Sequence, residues 1–207
     1  MALVKYNNNS ISAITAASGL TAGAMTLIKE VTASSSATIS FVDGTSDVVL
    51  DSTYPIYLFK FINVHNATDF KDLQFQANVA GGSGYNETIT STSFYAQHNE
   101  SGSAAALAYE TSRDQAQGTS FQSLVQGAGN DNDQSSSGEL WLFGLSSTTF
   151  VKHFMAQGNC STDDDKMRIL YTAGYFNTTS AIDEIQFKMA SGNIDAGTFK
   201  LYGIKDS

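Results

Sequence analysis

The sequence predicts an all-β fold, an antiparallel β-sandwich of jelly-roll type. Apolar and polar residues alternate along many short segments, as in Leu73–Val79, which is typical of strands with one buried and one solvated face. These segments follow one another at intervals of about 8–12 residues, with turn-forming residues between them. The pattern contains no clear crossover helix, which favours a jelly roll. An immunoglobulin-like sandwich is the alternative, but the cysteine pair and buried tryptophan that mark such domains are missing.

The same signals place the individual strands. Pro55 introduces residues 57–65, the segment with the strongest strand character. Residues 104–110 are ambiguous, since their alanines favour a helix but the segment spans only about two turns. Residues 127–138 are polar throughout and predict an exposed, mobile loop. The other predicted strands are residues 27–32, 38–42, 73–79, 88–97, 121–126, 139–145, 148–157 and 167–176.

The last two strand segments are predicted to close the domain. Ile185, Phe187 and Met189 alternate with polar residues in the first segment, and Phe199 and Leu201 do so in the second. A glycine-containing turn separates the two segments, so the pattern predicts a hairpin. Its apolar side chains are expected to belong to the core and not to a functional site.

The predicted organisation is an N-terminal arm, residues 1–25, followed by a single domain, residues 26–207. The arm sets Ile11, Ile14 and Leu20 among Ala, Ser, Thr and Gly, a composition that disfavours a long helix. An extended arm that packs on a neighbouring subunit would account for these isolated apolar residues. A frayed terminus is the alternative.

Charge and composition exclude several classes of partner. The net charge is −9 and the eleven basic residues are scattered, whereas binding to nucleic acid needs clustered Lys and Arg. No apolar stretch approaches the roughly 18 residues of a membrane span, and the first residues lack the apolar core of a signal peptide. Cys160 is the sole cysteine, which excludes an intrachain disulfide. We therefore expect a soluble protein made in a cytoplasm, with no nucleic-acid partner and no membrane insertion.

Residues that could carry chemistry are present but form no recognisable pattern. His65, His98 and His153 lie in separate segments without the spacing of a metal site. Residues 131–133 and 163–165 contain clustered carboxylates but lack the spacing of a calcium loop, so solvated turns are the simpler interpretation. No Gly-x-Ser-x-Gly elbow is present. We assign no catalytic, cofactor-binding or metal-binding residue, and expect neither a cofactor nor enzyme activity.

Several aromatic residues are candidates for a contact surface. Together they would form a sugar-stacking face or a subunit interface. For any single one, packing in the core or in a cross-strand pair is the simpler role. The candidates are Tyr85, Tyr95, Tyr109, Trp141, Tyr171 and Tyr175.

Segments spread over most of the chain resemble small jelly-roll virion proteins and tail-fibre tips of tailed bacteriophages, in particular marine phages. The closing segment TTSAIDEIQFKMASGNIDAGTFKLYGI is similar to the end of such proteins, and MALVKYNNNSISAIT is similar to their start. The segments TYPIYLFKFINVH and SSTTFVKHFMA also resemble the family. The resemblance implies a particle component located in the virion, and it supplies no catalytic residues.

From this resemblance we expect a non-enzymatic structural protein, a tail- or fibre-associated jelly roll that takes part in attachment to the host surface. A capsid decoration protein that stabilises the head and a carbohydrate-binding, lectin-like module are the alternatives. The expected partners are other virion proteins of the tail or capsid, further copies of the chain in a homotrimer, and a host-surface glycan.

Overall fold

The computed structural model of the protein describes residues 24–205. Within this range the chain forms β-strands and no helix, and so none that is long and apolar enough to cross a membrane. The strands are β1 (Met25–Ser36), β2 (Ile39–Val42), β3 (Ile56–Asn66), β4 (Leu73–Val79), β5 (Ile89–Asn99), β6 (Ala105–Tyr109), β7 (Gln115–Gly118), β8 (Gln122–Ser123), β9 (Ser136–Phe143), β10 (Lys152–Ser161), β11 (Lys166–Phe176), β12 (Ile182–Met189) and β13 (Ile194–Ile204).

The strands form two antiparallel sheets. The large sheet has the order β1-β13-β3-β9-β10-β11-β5-β6, and β7 also pairs with β5. The small sheet has the order β2-β12-β4-β8. The predicted antiparallel β-sandwich is therefore confirmed. The ambiguous segment 104–110 contains strand β6, which pairs with β5, and no helix.

Eight of the described strands form nested pairs. β1 pairs with β13, β2 with β12, β3 with β9 and β4 with β8. The chain thus folds like a long hairpin whose two arms pass alternately through the large and the small sheet. The strands β5, β6, β7, β10 and β11 widen the large sheet on one side, so part of its inner face extends beyond the small sheet.

The core lies between the two sheets and is centred on aromatic side chains. Phe187 of the small sheet contacts Phe59 and Phe199 of the large sheet, with ring centroids 5.2 and 5.1 Å away. Phe41 lies 5.0 Å from Phe59, and all four side chains are fully buried. A second aromatic cluster of the core consists of Phe75, Phe154 and Phe176.

The last two strands belong to different sheets, so the predicted closing hairpin is wrong. β12 pairs with β2 and β4, whereas β13 pairs with β1 and β3. The predicted core residues are confirmed, since Ile185 and Phe187 on β12 and Phe199 and Leu201 on β13 are all buried. Two strands that face each other across a core show the same alternation as two strands in a hairpin, which is why the pattern did not separate these arrangements.

The segment that follows β8 covers the inner face of the large sheet beyond the small sheet. Leu124 and Val125 in this segment are fully buried in the core. Gly158 on β10 permits the close approach, because a Cβ atom there would lie only 2.2 Å from the carbonyl oxygen of Leu124. The carbonyl oxygen of Gln126 accepts a hydrogen bond from Nη1 of Arg168 at 3.4 Å.

The prediction of an exposed loop over residues 127–138 is wrong for most of that range. Residues 127–129 are buried, and residues 136–138 already belong to β9. Gln134 is also buried, and its Nε2 donates to the carbonyl oxygen of Thr162 at 3.0 Å. Only residues 131–133 of this range are exposed. The polar composition was misleading because hydrogen bonds within the protein replace those to water.

Lys152, at the start of β10, is a fully buried lysine. Its ammonium group donates hydrogen bonds to the carbonyl oxygens of Ser147, Phe150 and Thr178, at 2.5, 3.0 and 3.3 Å. These acceptors belong to the loop before β10 and to the segment between β11 and β12. The buried charge therefore ties two loops together.

Cys160 on β10 is expected to resist thiol reagents in the folded protein. The side chain is 3% exposed, its Sγ donates to the carbonyl oxygen of Gln126 at 3.4 Å, and burial raises the pKa of the thiol to about 12. Relative to a free thiol with a pKa near 8.5, the reactive thiolate is on the order of 1,000-fold scarcer at neutral pH. Timed labelling with a chromogenic disulfide reagent at neutral pH checks this, and labelling in denaturant is the control. Rapid modification of the folded protein would contradict the expectation.

Candidate interaction surface

The outer face consists of the side chains of the large sheet that point away from the small sheet. On β10, for example, buried Phe154 and Ala156 alternate with outward-pointing His153, Met155 and Gln157. The antiparallel register then identifies the outward residues of the neighbouring strands, because residues that lie directly opposite each other share a face.

Most exposed apolar side chains of residues 24–205 lie on the outer face. Eleven large apolar side chains are exposed in this range, and the two that lie elsewhere, Phe70 and Phe150, belong to loops. A contiguous exposed apolar patch marks an interaction site more often than a free surface. The outer-face members are Met25, Leu27, Ile62, Phe94, Leu107, Tyr109, Met155, Met167 and Tyr171.

One cross-strand row of the outer face is apolar along nearly its whole length. The strands that contribute to it carry apolar residues on both faces, which is typical of strands that are covered on both sides. In order across the sheet, the row is Leu27, Tyr202, Leu58, Trp141, Met155, Ala173 and Thr92.

A groove of about 380 Å³ lies on the outer face between β5 and β9. The rings of Phe94 and Tyr171 stack on one side of it, with centroids 5.0 Å apart and planes inclined by 15°. Trp141 lines the groove on β9. Gln157 and Glu139 form the polar edge of the groove, where Nε2 of Gln157 donates a hydrogen bond to Oε1 of Glu139 at 3.1 Å. The groove can therefore accept a flat apolar or aromatic surface and a few hydrogen bonds.

Charged side chains of the outer face lie in one row and balance one another. Nζ of Lys200 is 3.0 Å from Oε2 of Glu30, and this hydrogen bond holds the pKa of Lys200 above its ordinary value. Lys60 lies between Lys200 and Glu139 in the register. The row thus holds two lysines and two glutamates and has no net charge, although the chain as a whole carries −9.

The outward positions of the small sheet differ sharply, because all of them except Val42 are polar. Nε2 of Gln186 on β12 donates to Oγ of Ser40 on β2 at 3.0 Å. The ammonium group of Lys188 lies 4.0 Å from the ring centroid of Phe121. None of the exposed large apolar side chains of residues 24–205 lies on these strands. The described part of the molecule therefore has one apolar side and one polar side.

Most of the aromatic candidates proposed from the sequence lie on the outer face. Tyr95 is an exception, since it points inward with its ring centroid 5.7 Å from the guanidinium of Arg168. Tyr85 lies outside the strands, where its backbone N–H donates to Oδ1 of Asn78. The candidates on the outer face are Tyr109, Trp141, Tyr171 and Tyr175.

Several outer-face residues were not singled out from the sequence. Phe94, Leu107, Met155 and Met167 are all at least 42% exposed. The alternation of the sequence could have identified Met155, because it stands between two residues that face the core. Once Phe154 is assigned to the core, the pleat of the strand requires Met155 to point outward.

The predicted histidine candidates do not converge. His98 and His153 lie on the outer face on different strands, and the ring of His153 packs against Tyr175 with centroids 5.9 Å apart. Nε2 of His65 is 3.2 Å from the carbonyl oxygen of Asp131. Among the residues that the structure describes, no group of three or more His, Cys, Asp or Glu side chains could hold a metal ion.

The acidic run 163–165 is tied to its own turn. Oδ1 of Asp164 accepts a hydrogen bond from Oγ1 of Thr162 at 2.6 Å, and Oδ2 accepts one from Nζ of Lys166. The bonds from Lys166 and Thr162 hold the pKa of Asp164 below its ordinary value. These local partners occupy the carboxylate that a cation would need.

A polar depression of about 550 Å³ lies beside β4 and β7, and its main acid is also satisfied internally. Asp72 accepts hydrogen bonds from Nε of Arg113 at 3.0 Å, from Oγ of Ser123 at 2.9 Å and from the backbone N–H of Gly127 at 2.9 Å. This cluster anchors the segment over the inner face of the large sheet. The hydrogen bonds of Asp72 therefore indicate a role in holding this segment in place and not in binding a ligand. The outer face is the remaining candidate site.

Comparison of the chain with protein-family models, with curated proteins and with solved structures gave no significant match.

Proposed function

We propose that this chain is a non-enzymatic structural protein of a tailed-bacteriophage virion, a tail- or fibre-associated jelly roll that takes part in attachment to the host surface. The exposed apolar outer face carries the proposal, because a subunit that functions by contact needs such a surface. The protein would be made in the host cytoplasm and incorporated into the virion with other tail or capsid proteins.

The strand order supports the jelly-roll part of this proposal. A jelly roll has eight strands in two facing sheets built from two Greek keys. The nested pairs provide these strands, with β1-β13-β3-β9 in the large sheet facing β2-β12-β4-β8 in the small sheet. The remaining strands would then be insertions that widen one sheet. The proposed arm, residues 1–25, lies outside the described residues except for its last two, and Met25 belongs to β1.

A carbohydrate-binding module is the second candidate, and the groove favours it specifically. Stacked Phe94 and Tyr171, together with Trp141, would offer ring faces to a sugar, and Glu139 and Gln157 would supply hydrogen bonds. A capsid decoration protein that stabilises the head remains a variant of the first proposal. Loss of the protein would then lower the resistance of capsids to heat without blocking adsorption.

Localisation on the particle tests the proposed function. We expect antibodies against the protein to label the tail or fibre of intact virions in immunogold electron microscopy, and mass spectrometry to detect the chain in purified particles. Label on the head surface would support the decoration variant. Protein confined to infected cells, with none in purified particles, would overturn the proposal. Antibodies raised against a known internal protein provide the control for particle integrity.

A further inference from the structure

We propose that a second copy of this chain covers the outer face, so that two large sheets pack against each other in a two-fold symmetric dimer. The inference rests on the proposed function in one respect, namely that the outer face is a contact surface. It adds the identity of the occupant and the symmetry of the contact.

The distribution of apolar residues favours contact between identical faces. A ring of three subunits, such as the homotrimer expected from the resemblance, needs two different patches that complement each other, whereas a two-fold dimer needs one patch that complements itself. Within residues 24–205 the exposed apolar side chains are concentrated on the outer face, and the outward positions of the small sheet are polar except for Val42. The described residues therefore provide one apolar patch, as a two-fold dimer requires.

The charge distribution removes the main obstacle to pairing of the outer faces. Two chains of net charge −9 repel each other, and like charges brought together at an interface are unfavourable. The charged row of the outer face balances Lys60 and Lys200 against Glu30 and Glu139. The rows on either side of it contain no Asp, Glu, Lys or Arg within the strands, and Asp114, which accepts a hydrogen bond from the hydroxyl of Tyr109 at 2.6 Å, adds one carboxylate at the β6 edge. Pairing through this face therefore keeps most of the excess negative charge away from the contact.

The outer face is large enough for a stable dimer. Eight strands side by side, about 4.8 Å apart, span roughly 34 Å, and strands of about ten residues run roughly 33 Å. The resulting area, on the order of 1,000 Å², exceeds the roughly 800 Å² that each partner buries in a standard interface. Trp141 and Met155 lie near its middle, on the fourth and fifth of the eight strands, and aromatic residues in a central position dominate the binding energy of such contacts.

Mass measurement of the full chain, alone and as a charged variant, tests the inference. Light scattering coupled to size exclusion is expected to give about 44 kDa, the mass of two chains of 22.1 kDa. Met155→Glu would bury a carboxylate on each side of the contact and raise the dissociation constant on the order of 100-fold. Phe150→Glu is the matched control, because Phe150 is 72% exposed but lies in a loop away from the outer face. This variant is expected to remain a dimer.

Folding of the variants is checked by circular dichroism and thermal unfolding. Met155 is 57% exposed, so its replacement should leave the fold intact, and Leu107→Glu, at a 74% exposed position of the same face, provides a second charged variant. A monomer at all concentrations, a mass near 66 kDa, or a dimer that both folded variants leave unchanged would overturn the inference. If the protein is a monomer in solution but is detected in virions, the dimer inference fails and the proposed function stands. If the protein is a dimer but is absent from virions, the proposed function fails and the dimer inference stands.

Discussion

Phe187→Ala is expected to lower the free energy of unfolding by about 3–5 kcal/mol, as for other buried phenylalanines cut back to alanine. The ring is fully buried and lies between Phe59 and Phe199, with centroid distances of 5.2 and 5.1 Å. Its removal would leave a cavity where the two sheets meet. Protein interiors are closely packed, so neighbouring rings would fill this cavity only in part. Equilibrium unfolding in urea measures the loss.

The control for this substitution is Phe150→Ala. Phe150 is 72% exposed, so the same chemical change should alter the free energy of unfolding by no more than about 0.5 kcal/mol. A loss at Phe187 as small as that at Phe150 would show that the two sheets do not pack through this ring. Such a result would contradict the packing of β12 against the large sheet.

Lys152→Met is expected to destabilise the protein by about 2–4 kcal/mol, although methionine matches the aliphatic part of the lysine side chain in length. The substitution removes the donor for three partly buried carbonyl oxygens, those of Ser147, Phe150 and Thr178. Each carbonyl would lose its protein partner, and polar groups that are withdrawn from water without a partner are costly. Urea unfolding measures the effect, and hydrogen exchange would show faster exchange in both loops.

Lys200→Met is the matched control for the buried lysine. Lys200 lies on the outer face and pairs with Glu30, and ion pairs that are exposed to solvent contribute little to stability. We expect this variant to change the free energy of unfolding far less than Lys152→Met does. Equal losses for both lysines would contradict the structural role of Lys152.

Strands with a clear alternation could be predicted closely from the sequence. Strand β4 has the predicted bounds Leu73–Val79, and Phe75 points into the core as its alternation requires. The partner of a strand is harder to predict, because alternation reports which face is buried and not what covers it. The arrangement of β12 and β13 illustrates this, since Phe187 and Phe199 meet across the core and not within one sheet.

The candidate site could be predicted only in part. Trp141 and Tyr171 were singled out because they are aromatic, but Met155 and Leu107 carry no chemical signal that separates an exposed contact residue from a core residue. Only the register between strands shows that Met155 lies beside Trp141. Likewise, burial of residues 127–129 depends on distant partners such as Arg168, which no local pattern reveals.

The nested pairing of the strands has a consequence for how the chain folds during synthesis. β13 lies between β1 and β3 in the large sheet, although it is the last of the described strands to leave the ribosome. Until Ile204 has been added, β1 lacks its neighbour in this sheet and one edge of β3 stays unpaired. Pairings between such distant segments slow folding, and unpaired edges attract other chains. We therefore expect the nascent protein to be most prone to aggregation before β13 pairs with β1 and β3.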